Sequence, residues 1–289
     1  MLRTSTVSSS PTSAAGPSAP FGAPESPRAV AEALTVLGLR PSRTLGQSFL
    51  HDPFVADAEA ALVERPLDAP VVEVGGGLGI LTAALLRRGY TDVTVLELDR
   101  RLAKRLTAAL QGRAKVVTGD ALEIPLPPAA AVVGNLPYAA ATPIVIRLLK
   151  ARVPRVVVMV QEEVAARLAA PPGSRTYGRL SILAQLFAEV ELFRPVGPES
   201  FHPRPAVGSR ILTLTARPDP LPVGSVPRLE EVVRVLFSSR RKQLGNLLPR
   251  LTGDPEGTAR SSGWPTDWAT RRPEQLAPEA FYALANTLS

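Results

Sequence analysis

The chain contains no cysteine, which excludes a disulfide framework and thiolate metal ligands. Histidine is almost as scarce. With only His51 and His202, a zinc or iron centre would need mostly carboxylates, so no metal is expected. No apolar run approaches the roughly 18 residues of a membrane-spanning helix; the best stretch, 153–160, is broken by Pro154 and Arg155. Residues 1–27 are rich in Ser, Pro, Ala and Gly and lack the apolar core of a signal peptide. They read as a disordered leader, and the cytoplasm is the expected compartment. Lysine is also rare, 4 against 29 arginines, and 30 prolines accompany them, the mark of a GC-rich coding bias.

That bias weakens what the net charge of +7 and the pI near 10.3 say about a polyanionic partner. The distribution says more. Residues 44–149 carry ten basic and eleven acidic side chains, whereas 150–217 carry ten against five. A near-neutral first half followed by a basic stretch suits a cofactor domain whose later loops face an anion. At 289 residues the chain has room for one sizeable domain and a smaller one.

Apolar β-rich runs at 71–74, 93–96, 115–117, 131–134 and 156–160 alternate with helical patterns at 79–88, 100–110 and 142–149. In the last of these Thr142 reads as N-cap and Pro143 as first helical residue. A helix over 28–39 precedes them, and β runs at 190–193 and 211–215 follow. This alternation predicts an α/β fold with a mostly parallel, doubly wound, Rossmann-like sheet. Pro218, Pro220, Pro222 and Pro227 mark a linker at 216–227, which leaves 28–215 as the catalytic domain. Helical patterns at 229–237, 244–251 and 277–287 make 228–289 a small helical C-terminal domain, with Trp264 and Trp268 read as its core.

Three features sit on one rim of that sheet. Gly75, Gly77 and Gly79 follow a strand and open a helix, so the backbone can approach a nucleoside and offer it N–H groups. The spacing is not that of a dinucleotide-binding turn. Glu97 ends the next strand, 22 residues beyond Gly75, where an acid can accept from both ribose hydroxyls. Asp99 is read as the cap of the following helix, and Glu73 as a brace of the glycine turn. Asp120 ends the third strand and can accept from an adenine amino group. The set fits S-adenosylmethionine better than NAD, because no polar pair for hydride transfer accompanies it.

Asn135-Leu136-Pro137-Tyr138 directly follows an apolar strand. Methylating an exocyclic amine requires two acceptors for its hydrogens and an aimed nitrogen. The Asn135 oxygen and the Leu136 or Pro137 carbonyl supply the acceptors, Pro137 fixes the turn, and Tyr138 offers a face for a base. No strong base is required. A plain strand-to-helix turn is the competing reading of these four residues taken alone.

The ordered set Gly46-Gln47-Ser48-Phe49-Leu50, Glu73 to Gly79, Leu96-Glu97-Leu98-Asp99, Gly119-Asp120-Ala121-Leu122 and Asn135 to Tyr138 resembles the ribosomal RNA adenine dimethyltransferases of the small subunit. Gln161-Glu162-Glu163-Val164, Tyr177-Gly178, Phe201-His202-Pro203-Arg204-Pro205 with Val207 and Ser209, and Phe237 to Leu244 extend the match over roughly residues 40–250. The resemblance implies S-adenosylmethionine-dependent dimethylation of N6 of two adjacent adenines near the 3′ end of small-subunit rRNA. It implies cofactor contacts from Ser48, Leu50, Gly75, Gly77, Glu97, Asp120 and Asn135. It also implies Phe201 stacking on the base face opposite Tyr138. Three positions depart from the family: Ser48 replaces Asn, Gly76 replaces Pro and should loosen the loop, and Glu162 replaces Lys and removes a charge near the rim.

For RNA, Arg175, Arg179, Arg204 and Arg210 surround the presumed base pocket in sequence, and Arg240-Arg241-Lys242 opens an acid-free helical stretch. The expected partner is small-subunit rRNA in a particle under assembly, bound by a monomer without membrane or metal. A large-subunit enzyme of the same chemistry and a non-catalytic nucleic-acid-binding member of the fold are the alternatives.

Overall fold

The structure is a computed structural model, and it describes residues 21–41, 47–218, 226–247, 251 and 265–287. Its elements are α1 (Pro27–Val36), β1 (Phe49–Leu50), α2 (Pro53–Ala61), β2 (Val71–Val74), α3 (Ile80–Arg87), β3 (Val93–Glu97), α4 (Arg100–Leu110), β4 (Lys115–Thr118), β5 (Ala131–Asn135), α5 (Ala141–Lys150), β6 (Arg155–Gln161), α6 (Glu162–Leu168), α7 (Arg179–Phe187), β7 (Ala188–Val196), β8 (Phe201–His202), β9 (Ser209–Ala216), α8 (Val226–Phe237) and, at the end, α9 (Pro278–Thr287).

Seven strands form one sheet in the order β4-β3-β2-β5-β6-β9-β7. The first five are parallel, while β9 runs antiparallel between β6 and β7. From β2 the chain winds outward to β4, then returns to the other side of β2 with β5. The strand order therefore reverses between β2 and β5, and a crevice opens at their carboxyl ends. The predicted α/β, doubly wound sheet is present. Its central strands are buried on both faces because helices cover both: Val71 to Val74, apolar but for Glu73, and Val156 to Val160 are all buried.

One face packs α2, α3 and Leu106 of α4. The other packs α5, α6 and α7 together with Leu229, Val232, Leu236 and Phe281, so the C-terminal helices share the catalytic core. Trp268 lies half-buried against that cluster, whereas Trp264 is outside the described residues.

Several expectations need correction. Residues 1–20 and 219–225 lie outside the described residues, but the end of the presumed leader belongs to the fold. Phe21 is only 9% exposed and packs into the core, and Ser26 caps α1 by accepting from the Ala29 N–H. Thr142 does not cap α5; the Ala140 N–H already bonds the Pro137 carbonyl, so the turn winds straight into the helix one residue earlier. Helices α2 and α7 escaped the periodicity reading because their apolar residues spread around the helix instead of forming one stripe, and α6, from Glu162 to Leu168, is too short to show a period. After α8, residues 244–246 form a 3-10 turn, and 248–250 are outside the described residues.

Candidate active site

The crevice is a cavity of about 650 Å³. Its floor is the glycine turn. Gly75 and Gly77 have φ of 82° and 54°, the left-handed region that other residues rarely enter. A Cβ on Gly75 would sit 3.8 Å from the Asn135 carbonyl oxygen, so the turn and the end of β5 face each other. Gly76 does not loosen the loop, as the sequence suggested. A Cβ there would meet Val95 Cγ1 at 2.3 Å and Leu106 Cδ1 at 2.8 Å, so this glycine lets the turn press onto the core.

Glu97 closes the turn from the side. Its two carboxylate oxygens accept from the Gly77 N–H (2.8 Å) and the Asp99 N–H (2.9 Å), each keeping lone-pair capacity toward the cavity. Burial raises its pKa, and the two N–H donors partly offset that. Asp99 caps α4 by accepting from the Arg101 and Leu102 N–H groups. Glu73, also on the wall, accepts from the Thr82 hydroxyl at 2.6 Å and so ties β2 to α3 across the turn. Burial pushes it up to about 8. Behind it, fully buried Glu59 of α2 is raised to about 8 by burial and by Glu73, with the Gly134 backbone partly offsetting the push.

Asp120 caps its own loop by accepting from the Leu122 N–H at 2.8 Å. Arg147 of α5 donates to the Ala121 and Ile124 carbonyls, clamping that loop against the cavity. Leu98 (60% exposed) and Leu122 also line the wall. They present apolar surface to the cavity. The sequence reading missed both, although the signal was present as apolar residues one and two places after a rim acid, where a helix start or loop would ordinarily be polar.

At the opposite wall Gly134 lets β5 approach β2, since a Cβ would lie 2.5 Å from the Val74 carbonyl oxygen. Asn135 ends β5, and the Leu136 N–H bonds the Met159 carbonyl at 3.1 Å. Ser48, Leu50, Gly75, Gly77, Glu97, Asp120, Asn135, Leu136 and Pro137 therefore gather on one cavity. Tyr138 stands outside its lining, half-buried, with its hydroxyl 2.8 Å from that of Ser209. Phe201, paired with Leu50 across the β1–β8 ribbon, is 3% exposed and packs in the core cluster that also holds Leu50.

The basic residues divide. Arg175, Arg179, Arg241 and Lys242 are exposed, and exposed Arg204 lies 3.7 Å from Glu199. Arg210 is spent on both oxygens of Glu162 (2.8 and 2.9 Å) and on the Phe193 carbonyl, so the Glu162 departure fixes an arginine inside the fold. Arg240 is spent on Glu274 (2.7 Å) and on the Arg175 carbonyl (2.9 Å), which joins the C-terminal segment to the loop before α7. In both, a carboxylate pair and a carbonyl hold the guanidinium in place against the fold.

The sequence profile described as ribosomal RNA adenine dimethylase matches residues 39–266. The chain belongs to this family. It is 39% identical over 260 residues to a probable ribosomal RNA small subunit methyltransferase A of Natronomonas pharaonis, covering 86% of this chain and 93% of that protein. It is 37% identical to ribosomal RNA small subunit methyltransferase A of Rhodospirillum rubrum over 89% of this chain and 91% of that one. Among solved structures, a dimethyladenosine transferase from Plasmodium falciparum shares the fold, with a TM-score of 0.71, 23% identity, and coverage of 83% of this chain and 95% of that one. The 23S rRNA methyltransferase ErmE matches with a TM-score of 0.61 and 30% identity, covering 83% of this chain and 99% of that one. Membership makes the cavity that of a methyltransferase. Among the described residues no cluster of metal-ligating side chains and no helix long and apolar enough to cross a membrane is present.

Proposed function

We propose that this protein dimethylates N6 of two adjacent adenines near the 3′ end of small-subunit rRNA during subunit assembly, using S-adenosylmethionine. The observation that carries the reading is Asn135-Leu136-Pro137 at the cavity wall facing Gly75, with Tyr138 next in the turn, in a chain whose relatives at 37–39% identity carry the small-subunit name.

The residues fit the cofactor. The glycine turn leaves backbone where a Cβ would intrude, Glu97 keeps an acceptor on each oxygen for a ribose hydroxyl, and Asp120 with Leu98 and Leu122 suits an adenine. When bound, S-adenosylmethionine supplies an electrophilic methyl group. The chain's own work is positioning. Asn135 Oδ1 accepts one N6 hydrogen. The Leu136 or Pro137 carbonyl accepts the second, Pro137 keeping a lone pair beside its bond from the Ala140 N–H. Together they aim the nitrogen lone pair into the cavity. The proton leaves after the nitrogen is alkylated, when it is acidic enough to pass to water, so neither histidine is needed as a base. Tyr138 offers its ring to the extracted base. Arg175, Arg179, Arg204, Arg241 and Lys242 face the rRNA phosphates. A monomer in the cytoplasm completes the reading.

The 30% identity to ErmE favours one rival, methylation of large-subunit rRNA. Labelled methyl transfer to undermethylated small-subunit particles and to unmethylated large-subunit rRNA, with Asn135→Ala as control, separates them. N6,N6-dimethyladenosine in the small-subunit RNA, lost in the variant, is the expected result. Label confined to large-subunit RNA establishes the rival, and RNA binding with no transfer to either makes the protein a non-catalytic member of the fold.

A further inference from the structure

Tyr138 leaves the catalytic turn with a half-buried ring, and its hydroxyl lies 2.8 Å from Ser209 Oγ, 71 residues further along the chain. Two torsions orient a tyrosine ring. Holding its far end fixes the first, because the hydroxyl lies on the axis of the second, and the in-plane preference of the phenol O–H restrains the second.

Ser209 is well suited to hold it. It is 1% exposed and opens β9, paired with Gln161 of β6 on one side and Val196 of β7 on the other. Its neighbours are pinned as well: the Glu162 N–H bonds the Gly208 carbonyl at 3.0 Å, and Arg210 is gripped by Glu162 and the Phe193 carbonyl. A serine fixed between two strands cannot follow a moving ring, so the ring must follow the serine.

We propose that Ser209 is a positioning residue of the catalytic turn, its buried hydroxyl setting the angle at which the Tyr138 ring meets the target base. The inference rests on the methyl-transfer reading and extends it to a residue outside the turn. Ring tilt matters because a stacked base carries its N6 with it, and a displacement near 1 Å at the reacting nitrogen is costly in rate. The Ser209 bond also partly offsets the upward push that burial gives the Tyr138 hydroxyl.

The test compares Ser209→Ala, Tyr138→Phe and the double variant on undermethylated small-subunit particles, with S-adenosylmethionine affinity measured on each protein. Each single variant should lower kcat about three- to tenfold, the net worth of one neutral hydrogen bond. Cofactor affinity should stay unchanged, and the double variant should be no slower than the slower single one. Tyr138→Phe keeps the ring and leaves β9 untouched, so it reads the bond from the other side. A wild-type kcat in Ser209→Ala, losses that multiply in the double variant, or cofactor affinity that falls with kcat would each overturn the inference. Wild-type protein that transfers no methyl overturns the methyl-transfer reading and this one with it; active wild-type with an indifferent Ser209→Ala overturns this one alone.

Discussion

Ser48, Gly75, Glu97, Asp120 and Asn135 come from five separate stretches of chain and meet around one 650 Å³ cavity. The seven basic residues singled out for RNA meet different fates, with Arg210 and Arg240 consumed by Glu162 and Glu274. The two groups differ in what fixes a residue's role. On the rim it is backbone demand: a left-handed φ, an acid at a strand's carboxyl end, a turn that must follow β5. Those demands are local and the topology delivers their sum. An arginine on a long flexible stem takes whichever partner folding brings near, and that partner is written elsewhere in the chain.

The sharpest way to break this comparison is Asn135→Ala. If the turn works by positioning two N–H hydrogens, kcat should fall by about 10²–10³, the usual effect of deleting one preorganised polar partner of the reacting group. Methyl transfer to small-subunit particles measures it.

Glu97→Gln comes next. The amide keeps one acceptor oxygen but loses the charge that strengthens its bonds to the Gly77 and Asp99 N–H groups. S-adenosylmethionine affinity should drop about tenfold to a hundredfold by calorimetry, since hydrogen bonds to a charged group are worth roughly 1.5–3 kcal/mol.

Glu59→Gln probes the buried acids beneath the rim. Burial lifts Glu59 and Glu73 from 4.5 to about 8, so the folded protein holds protons that the unfolded chain has released across that window. Stability should therefore fall as pH rises from about 4.5 to about 8 and level off above it. The variant should flatten that slope, read as a smaller Tm difference between about pH 6 and pH 9. An unchanged slope would show that Glu59 does not hold the proton.

The smallest effects sharpen the arginine side. Arg204→Ala should lower the slope of RNA affinity against salt by about one. Arg240→Ala should leave that slope alone and cost about 1 kcal/mol of stability, because its work is the part-exposed pair with Glu274. Equal salt effects from both would erase the distinction.

Strands β2, β3, β4 and β5 and helix α4 were legible within about a residue, because apolar runs bounded by turn residues define them. The two-residue β1 and β8 were not, since each exists only by pairing with the other. Phe201 shows the same limit. Its place in a motif carries no sign of its partner, and only the ribbon that pairs it with Leu50 shows the ring packed in the core. Gly76 reads as a loose link until Val95 and Leu106 are seen pressing on it.

By itself the sequence determined the alternation of strand and helix, the glycine turn, the rim acids and the Asn135 to Tyr138 turn, all set by conformational preference over a few residues. Tertiary structure alone decided that Glu162 and Glu274 would pair with Arg210 and Arg240, and that Glu59 would lie buried behind Glu73. It alone set the Tyr138 hydroxyl against Ser209. Each of these joins groups far apart in the chain, and a side chain's charge or hydrogen-bonding atom carries no information about which distant partner the sheet will place within 3 Å.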